Sequence, residues 1–187
     1  VWLNVKSRIT YPTRFNGNDR RVNLKGEAYF NVRHDEAHPF IIRANGMSTK
    51  VLGTEFNVRC YDRADFHVTL ISGMVEVCTI GDTVRIHPSE DAHLNENGSF
   101  DVKHVNVKAF TCWREGIVYF DNATLREILE QMGEWYNLNI ICSDKSILYH
   151  HFHYMYNRNA PIEEALKLLN SSSDIDAKIV NGTIIIN

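Results

Sequence analysis

The sequence predicts two domains, an all-β domain over residues 1–112 and a small α+β domain over residues 113–187. Three observations indicate this division. Up to about Val107, short alternating segments are separated by turn dipeptides, without helical periodicity. From Gly116 on, two amphipathic helical segments alternate with short strands. The 187 residues, 44% of them hydrophobic and 23% charged, are enough for one large or two small soluble domains.

Strict alternation marks the segment Val22–Val32 as a half-buried strand. Its even positions carry Val, Leu, Gly, Ala, Phe and Val, whereas its odd positions carry Asn, Lys, Glu, Tyr, Asn and Arg. Further along, the dipeptides Gly81-Asp82 and Asn97-Gly98 predict two hairpins with primed turns. Because many alternating strands must each bury one face, we expect two sheets packed as a sandwich-like domain.

The second half of the chain predicts two helices and five strands. Apolar spacing predicts a helix that begins near Thr124, with either a capping box of Thr124 and Glu127 or Asn122 as N-cap. The other helix begins at Pro161 and should stop in residues 171–173. The resulting β-α-β-β-α-β-β order predicts a split βαβ sheet with both helices on one face. The expected strands are residues 117–120, 138–142, 149–156, 177–180 and 183–186.

Composition and motifs argue against several classes of function. The net charge of −3 provides no basic field, so the sequence supports neither nucleic-acid binding nor a membrane-surface role. No apolar run approaches the roughly 20 residues that span a bilayer. The opening residues Val1–Asn4 look like the middle of a strand, so we expect the natural protein to begin earlier. Without a nucleotide-binding glycine motif, a nucleophile elbow or metalloprotease histidine spacing, we expect no catalytic residues, no cofactor and no enzyme activity.

The sequence is compatible with three chemical states of the four cysteines. They are widely spaced, form no CxxC pair and lie mostly in apolar, strand-like segments. Free buried thiols are the first interpretation, and one or two disulfides or a metal site are the alternatives. These residues are Cys60, Cys78, Cys112 and Cys142.

A histidine-rich strand is the first candidate for binding a partner. In the strand predicted over Tyr149–Tyr156, His151 and His153 share one face with Tyr149 and Met155. Two histidines on a face are too few for a metal site without ligands from elsewhere in the fold. We therefore expect no metal ligands here and interpret the face as solvated or partner-facing. Its candidate partner-binding residues are Tyr149, His151 and His153.

Tyr29 is the second candidate for binding a partner. It falls on the polar face of the first predicted strand, between Glu27 and Asn31. An exposed aromatic side chain at this position would suit a contact surface, or packing between the two domains.

Several motifs in the first domain recur in the order found in a known family. They are VWLN at the start, SRITYP, GEAYF (Gly26–Phe30), His34, Pro39-Phe40 and VLGTEFNV (Val51–Val58). The domain thereby resembles the FecR family of periplasmic anti-sigma regulators. Ser89, in the sequence HPSED, departs from the glycine that we expect after the proline.

The second domain carries a further resemblance. It is similar to the secretin and TonB short N-terminal domain that forms the C-terminal part of many Bacteroidetes FecR-like proteins. Together the two resemblances cover nearly the whole chain. The residues that carry the second one are Trp113–Gly116, Phe120, Leu125, Ile128-Leu129, Trp135-Tyr136, Leu138–Ile140 and Ile162–Leu166.

The resemblance implies a function in signalling across the cell envelope. In the family, a cytoplasmic region holds an extracytoplasmic-function sigma factor, one transmembrane helix follows, and a periplasmic part receives a signal. The signal comes from the N-terminal signalling domain of a TonB-dependent outer-membrane transporter, and release of the sigma factor switches on transport genes. This chain would be the periplasmic part of such an inner-membrane single-pass protein, with the cytoplasmic region and the transmembrane helix outside it.

The resemblance also directs attention to the second domain. We expect recognition of the partner after Gly116, through a sheet edge or an exposed helix face. A periplasmic module that senses a glycan or a metal directly is the alternative interpretation.

Overall fold

The computed structural model describes residues 1–171 and 175–187. In these residues the chain is mostly β-strand, as the sequence predicts, with a few short helices. It divides into two compact units, Val1–Thr111 and Cys112–Asn187. None of the described residues belongs to a helix long and apolar enough to cross a bilayer.

Residues 1–111, all of which the structure describes, form eleven strands and one short helix. They are β1 (Trp2–Leu3), β2 (Arg8–Thr10), β3 (Arg20–Asn31), β4 (Phe40–Ala44), β5 (Met47–Val51), β6 (Glu55–Cys60), β7 (His67–Ser72), β8 (Val75–Cys78), β9 (Thr83–Ile86), β10 (Glu90–Leu94), β11 (Phe100–His104) and α1 (Val107–Thr111).

The strands of the first unit form one large, nearly closed sheet. Its order is β11-β10-β7-β6-β3-β4-β5-β8-β9, with β1 and β2 also paired to β3. The sheet nearly closes because β9, at one end, contacts β10 and β11 at the other. The prediction of two separate sheets is therefore wrong in this respect: the two are halves of one curled sheet. They are joined because β3 is twelve residues long, pairing through Arg20–Asn23 with β4 and through Gly26–Asn31 with β6.

The core lies inside the curl, where the inward residues of both halves form one cluster. Val22, Leu24, Ala28 and Phe30 are buried, as the alternation along β3 predicts. Phe30 stacks on Phe56 with ring centres 5.3 Å apart. Both halves thus share one apolar interior, which favours closure over two independent sheets.

The two predicted hairpins are present, but their loops are longer than the primed two-residue turns. Cys78 pairs with Thr83, and Leu94 pairs with Phe100. The first loop is held by the Thr79 hydroxyl, which accepts backbone N–H groups of the loop. The second is held in the same way by the side-chain oxygen of Asn95. These side-chain acceptors satisfy loop donors that a two-residue turn would not contain.

Left-handed backbone occurs at turns that the hairpin prediction missed. Asn45 and Gly46, between β4 and β5, have φ of 50° and 86°, the combination required by a type I′ turn. Ser89 has φ of 69°, a conformation that favours glycine. This explains physically why a glycine is expected after Pro88.

A short strap lies along one edge of β3. β1 pairs with Ala28 and Tyr29, which also pair with β6, so β1 and β6 lie on opposite edges of β3. β2 and β4 both pair with Asn23, so they too lie on opposite edges. Arg20 N–H donates to the Pro39 carbonyl beside β4, and Val32 N–H donates to the Thr54 carbonyl beside β6. Both residues have the parity of the inward residues of β3, so β4 and β6 share one edge, and β1, residues Asn4–Ser7 and β2 follow the other. We call Asn4–Ser7 the strap.

The strap is held by a buried carboxylate and by a glycine. The Glu27 side chain accepts hydrogen bonds of 2.8 Å from the amides of Asn4 and Asn57, and the Glu27 backbone N–H donates to the Ser7 hydroxyl. Gly26 has φ of 92°, and a Cβ there would lie 2.4 Å from Ser7 Oγ. The strap can therefore approach β3 only because residue 26 lacks a side chain.

Tyr29 is buried, so its predicted exposure is wrong. Only 1% of the residue is accessible. Trp2 of β1 packs edge-on against its ring at 5.6 Å, and its hydroxyl donates a hydrogen bond to the Glu55 carboxylate. The alternation places Tyr29 correctly on the outward side of β3, but β1 covers that position.

The second unit is built from five strands and two helices in its described residues, after a 3₁₀ turn at Cys112–Glu115. They are β12 (Ile117–Thr124), α2 (Leu125–Tyr136), β13 (Asn139–Cys142), β14 (His151–Asn157), α3 (Ile162–Leu169), β15 (Ala177–Val180) and β16 (Thr183–Ile186).

The five strands form two sheets, whereas the sequence predicts one. β12 pairs with β14 antiparallel, and β16 lies between β13, to which it is parallel, and β15, to which it is antiparallel. α2 contacts β12 and β13, and α3 contacts β14 and β15. Each helix thus contacts both sheets, and the whole unit shares one core cluster.

The helix boundaries follow their capping chemistry. Both hydrogen bonds of the Thr124 and Glu127 capping box are present, so Thr124, not Asn122, is the N-cap of α2. α3 ends at Leu169, earlier than the predicted stop in residues 171–173. Of these, Ser172 and Ser173 lie outside the described residues.

Replacing Gly26 with alanine should destabilise the first unit by about 2–4 kcal/mol, through left-handed strain and the clash with Ser7. The midpoint of urea unfolding measures this loss. Gly17→Ala is the matched control, because nothing lies within 4 Å of a Cβ at Gly17. We expect the control to change stability by no more than about 1 kcal/mol. Equal effects of the two substitutions would contradict the close approach of Ser7 to Gly26.

The buried Glu27 should make stability depend on pH. Burial raises the pKa of Glu27 above its ordinary value of 4.5, an effect that the hydrogen bonds from Asn4 and Asn57 and the charge of Arg59 only partly offset. The folded state therefore binds the proton more tightly than the unfolded state does. The contribution of Glu27 to the free energy of unfolding must therefore fall as pH rises from about 4.5 through the folded pKa.

Urea unfolding at several pH values, for the wild type and Glu27→Gln, measures this linkage. We expect the stability of the wild type relative to Glu27→Gln to increase as pH falls from 7 towards 5. Glu96→Gln, in the exposed hairpin loop, changes the same group elsewhere and serves as the control. A difference that grows in the opposite direction would show that the carboxylate is stabilised, not penalised, by its surroundings.

Candidate functional site

The outer edge of β14 is the candidate site. In its sheet β14 has one neighbour among the described residues, β12, so its other edge pairs with no strand. Sheet edges with unpaired donors and acceptors are places where another chain can add a strand.

The direction of the backbone groups along β14 follows from two hydrogen bonds at its ends. Arg158 N–H donates to the Gly116 carbonyl, and Leu125 N–H donates to the His150 carbonyl. In an antiparallel pair the bonded positions alternate, so the even-numbered residues of β14 face β12 with their backbone groups. The N–H and C=O groups of His151, His153 and Met155 consequently point to the open edge.

The side chains of β14 alternate between the core and solvent. Tyr154 and Tyr156 are buried, and burial raises the pKa of both phenols. The Tyr154 hydroxyl donates a hydrogen bond of 2.6 Å to the Ala165 carbonyl, and this bond holds α3 against the strand. The Tyr156 hydroxyl is buried and has no hydrogen-bond partner within the described part of the chain. The core therefore fixes the position of the strand while His151, His153 and Met155 remain exposed.

A groove of about 190 Å³ runs between the end of β14 and α3. Met155 and Leu168, both 55% exposed, provide apolar surface at the groove, and Glu164 provides a carboxylate. An apolar groove beside an open strand edge offers side-chain pockets next to backbone hydrogen-bonding groups. The other residues lining it are Ile117, Tyr156, Asn157, Ala160 and Ala165.

The predicted site residues of the second domain lie close to this edge. His151 Nδ1 lies 2.7 Å from the Asn122 carbonyl, and His153 Nδ1 lies 2.7 Å from Asp121 Oδ1. Both contacts orient the imidazoles across the exposed face of β12 and β14. Tyr149 is 64% exposed, but it ends a 3₁₀ turn and is not part of the strand.

Tyr149 is therefore not on the same strand face as the two histidines, contrary to the prediction. Its ring is instead held by Arg126, whose guanidinium carbon lies 5.5 Å from the ring centre. Tyr29, the fourth candidate, belongs to the first unit and is covered by β1. The structure thus brings together His151 and His153, and it removes Tyr29 from any exposed surface.

Two residues of the site were not found by sequence reasoning. Leu168 lies on the solvent side of α3, where a single exposed leucine gives no signal. Tyr119 is 39% exposed and pairs directly with Met155, so the two form an apolar patch on the outer face of the sheet. Only the pairing of β12 with β14 reveals this patch.

The described residues offer neither a metal cluster nor a reactive buried thiol at Cys60. Within residues 1–171 and 175–187, no group of three or more His, Cys, Asp or Glu side chains could hold a metal ion. Cys60, Cys78 and Cys142 are free thiols, and burial raises the pKa of Cys60 to about 11. The Cys60 thiol is therefore protonated and poorly reactive at neutral pH.

Comparison with known proteins gives consistent results for both units. The model of the family described as "FecR protein" matches residues 1–76, and that described as "FecR, C-terminal" matches residues 117–186. No curated protein shows a significant match in sequence.

Two solved structures match almost the entire chain. Both are crystal structures of a protein from Parabacteroides distasonis ATCC 8503 assigned as an anti-sigma factor, at 1.65 Å and 2.50 Å resolution. The first is 29% identical with a TM-score of 0.79, and the match covers 99% of this chain and 88% of that chain. The second is 30% identical, again with a TM-score of 0.79, and the match covers 98% of this chain and 87% of that chain. The chain therefore belongs to the FecR family of anti-sigma factors.

Proposed function

We propose that this chain is the periplasmic, signal-receiving region of a single-pass inner-membrane anti-sigma regulator. Its second unit, a domain of the secretin and TonB short N-terminal type, binds the N-terminal signalling domain of a TonB-dependent outer-membrane transporter. A cytoplasmic region outside this chain holds an extracytoplasmic-function sigma factor. Membership of the FecR family supports the regulatory part of this proposal.

The choice of binding site depends on the unpaired outer edge of β14. Three consecutive outward positions, at His151, His153 and Met155, each offer an N–H and a C=O group to an added strand. Main-chain hydrogen bonds of this kind give affinity with little dependence on sequence, and side-chain pockets then give specificity. The groove formed with α3 is such a pocket.

A comparison with another edge of the same unit favours β14. At the outer edge of β15, the side-chain amide of Asn170 bonds both the N–H and the C=O of Ala177, at 2.7 and 2.9 Å. A strand could not add there without displacing Asn170. β14 has no comparable side-chain block at its three outward positions in the described residues.

Titration of the ¹⁵N-labelled chain with a transporter signalling domain tests the proposal. We expect the largest amide shifts at His151–Asn157 and in α3. Shifts centred on Asn139–Cys142 would assign binding to the edge of β13 instead. Shifts confined to residues 1–111 would refute binding by the second unit.

Met155→Pro should weaken binding at least tenfold, because it removes an outward N–H and places a ring at the edge. Proline is tolerated at edge positions whose N–H faces solvent, so the fold should persist. Met155→Leu keeps both the backbone donor and an apolar side chain at the groove, and it is the matched control. Calorimetric titration with the signalling domain measures the affinities.

A second substitution keeps this test decisive if Met155→Pro unfolds the unit. Leu168→Asp changes an exposed residue of α3 and should also weaken binding by about tenfold, because it introduces a charge into the apolar groove. Full affinity in both folded variants would exclude the β14 edge as the binding site.

Direct sensing of a glycan or a metal is the competing function. The grooves beside β14 and beside Arg20 have volumes of about 190 and 180 Å³. Pockets for small molecules usually measure about 300–1,000 Å³. Calorimetry against divalent metals and oligosaccharides distinguishes the two functions, since heat of binding from either class would favour direct sensing.

A further inference from the structure

One half of the large sheet exposes a basic outer face. The half consists of β2, β3, β4, β5, β8 and β9, and its inward residues belong to the core. We call its outward cations the basic face. They are Arg8, Arg21, Lys25, Arg43, Lys50 and Arg85, all of them exposed.

Strand register brings these residues together from distant parts of the sequence. Arg8 lies directly opposite Lys25. A continuous row across five strands runs through Arg21, Ile41, Lys50, Glu76 and Arg85. The neighbouring row contains Asn23, Arg43, Ser48, Cys78 and Thr83. With strands about 4.8 Å apart, the six strands span roughly 24 Å.

Most of this positive charge is not neutralised within the chain. Arg21 is paired with Asp19, and Arg85 Nε lies 3.2 Å from Glu76 Oε2. Among the described residues no ion pair neutralises the other four cations, which are Arg8, Lys25, Arg43 and Lys50. Uncompensated cations on one face create a local field that attracts anions.

The outer face of the other half-sheet carries both signs of charge. Glu27 and Asp91 are buried and lie opposite Arg59 and Lys103, and Asp101 lies opposite His93. The whole chain has a net charge of −3, so the basic face is a local feature that overall charge conceals. The four cations without an ion pair thus lie together on one half of the sheet.

We propose that the basic face docks on the anionic phospholipid headgroups of a bilayer. Protein interfaces depend on apolar and aromatic anchors. Among the described residues of this face none is aromatic, and its central apolar residue, Ile41, is half-buried. Clustered Lys and Arg side chains are sufficient for attraction to anionic lipid.

A bilayer also suits the position of these cations on one face. It is an extended anionic surface that approaches from one side, so it can contact the basic face while the other half-sheet remains in solvent. Screening over about 8–10 Å at physiological salt limits repulsion from carboxylates elsewhere in the unit. This proposal concerns the first unit and does not depend on which partner binds β14.

We expect weak binding, with each cation contributing separately to the binding free energy. Each cation near an anionic membrane increases binding about fivefold, so four unpaired cations give an association constant on the order of 10³ M⁻¹. Such an affinity is useful for a protein already held close to a membrane, because tethering raises the effective concentration of the surface.

Co-sedimentation of the full chain with lipid vesicles tests the proposal. We expect binding to vesicles of phosphatidylcholine with about 30 mol% phosphatidylglycerol, weakening as salt is raised, and no binding to pure phosphatidylcholine. Arg43→Gln with Lys50→Gln should reduce binding about 25-fold, since two unpaired cations are removed. Both side chains are exposed, so little change in stability is expected.

Lys103→Gln with Lys108→Gln is the matched control, because it changes net charge equally at exposed positions outside the basic face. We expect this variant to bind like the wild type. Equal losses in the two double variants would overturn the proposal in favour of a general charge effect. No binding to the anionic vesicles at low salt would overturn it as well. Stronger binding to polyglutamate than to vesicles would assign the face to an acidic protein.

Discussion

The close approach of Ser7 to Gly26 is the contact on which the first unit depends. β3 has two neighbours along each edge, and the strap runs beside one edge to connect β1 with β2. A side chain at residue 26 would occupy the space of the Ser7 hydroxyl. With the strap in place, one twelve-residue strand is held by four others and joins both halves of the sheet. The glycine of the GEAYF motif is thus required by the fold itself.

The first seven residues also explain why polar residues of β3 are buried. Local alternation predicts which side each residue faces, and this succeeds for Val22 and Phe30 because a period of two depends only on the strand. It does not predict whether that side is covered. Glu27 and Tyr29 are covered by residues 1–7, about twenty positions earlier in the chain, and nothing in the alternation marks this contact. A buried carboxylate bonded by two amides is the result.

The second unit shows the same division between local and non-local information. The start of α2 could be predicted because the capping box of Thr124 and Glu127 is a local arrangement. The separation into two sheets could not, because it depends on β13 pairing with β16, more than forty residues later. The alternation placed His151 and His153 on one face correctly. That β14 remains an edge beside α3 depends on pairings that no local pattern specifies.

The distribution of charge over the surface also depends on strand pairing, and this bears on function. A net charge of −3 describes the chain as a whole, but alternation along paired strands sorts charges between the faces of a sheet. Arg43 and Lys50 lie in adjacent strands of one half, and Asp91 and Asp101 lie in adjacent strands of the other. The field experienced by a partner is set by the face that it approaches. Composition argues against a membrane-surface role because it averages charge over the whole chain. The sheet nevertheless presents a basic face that suits such a role.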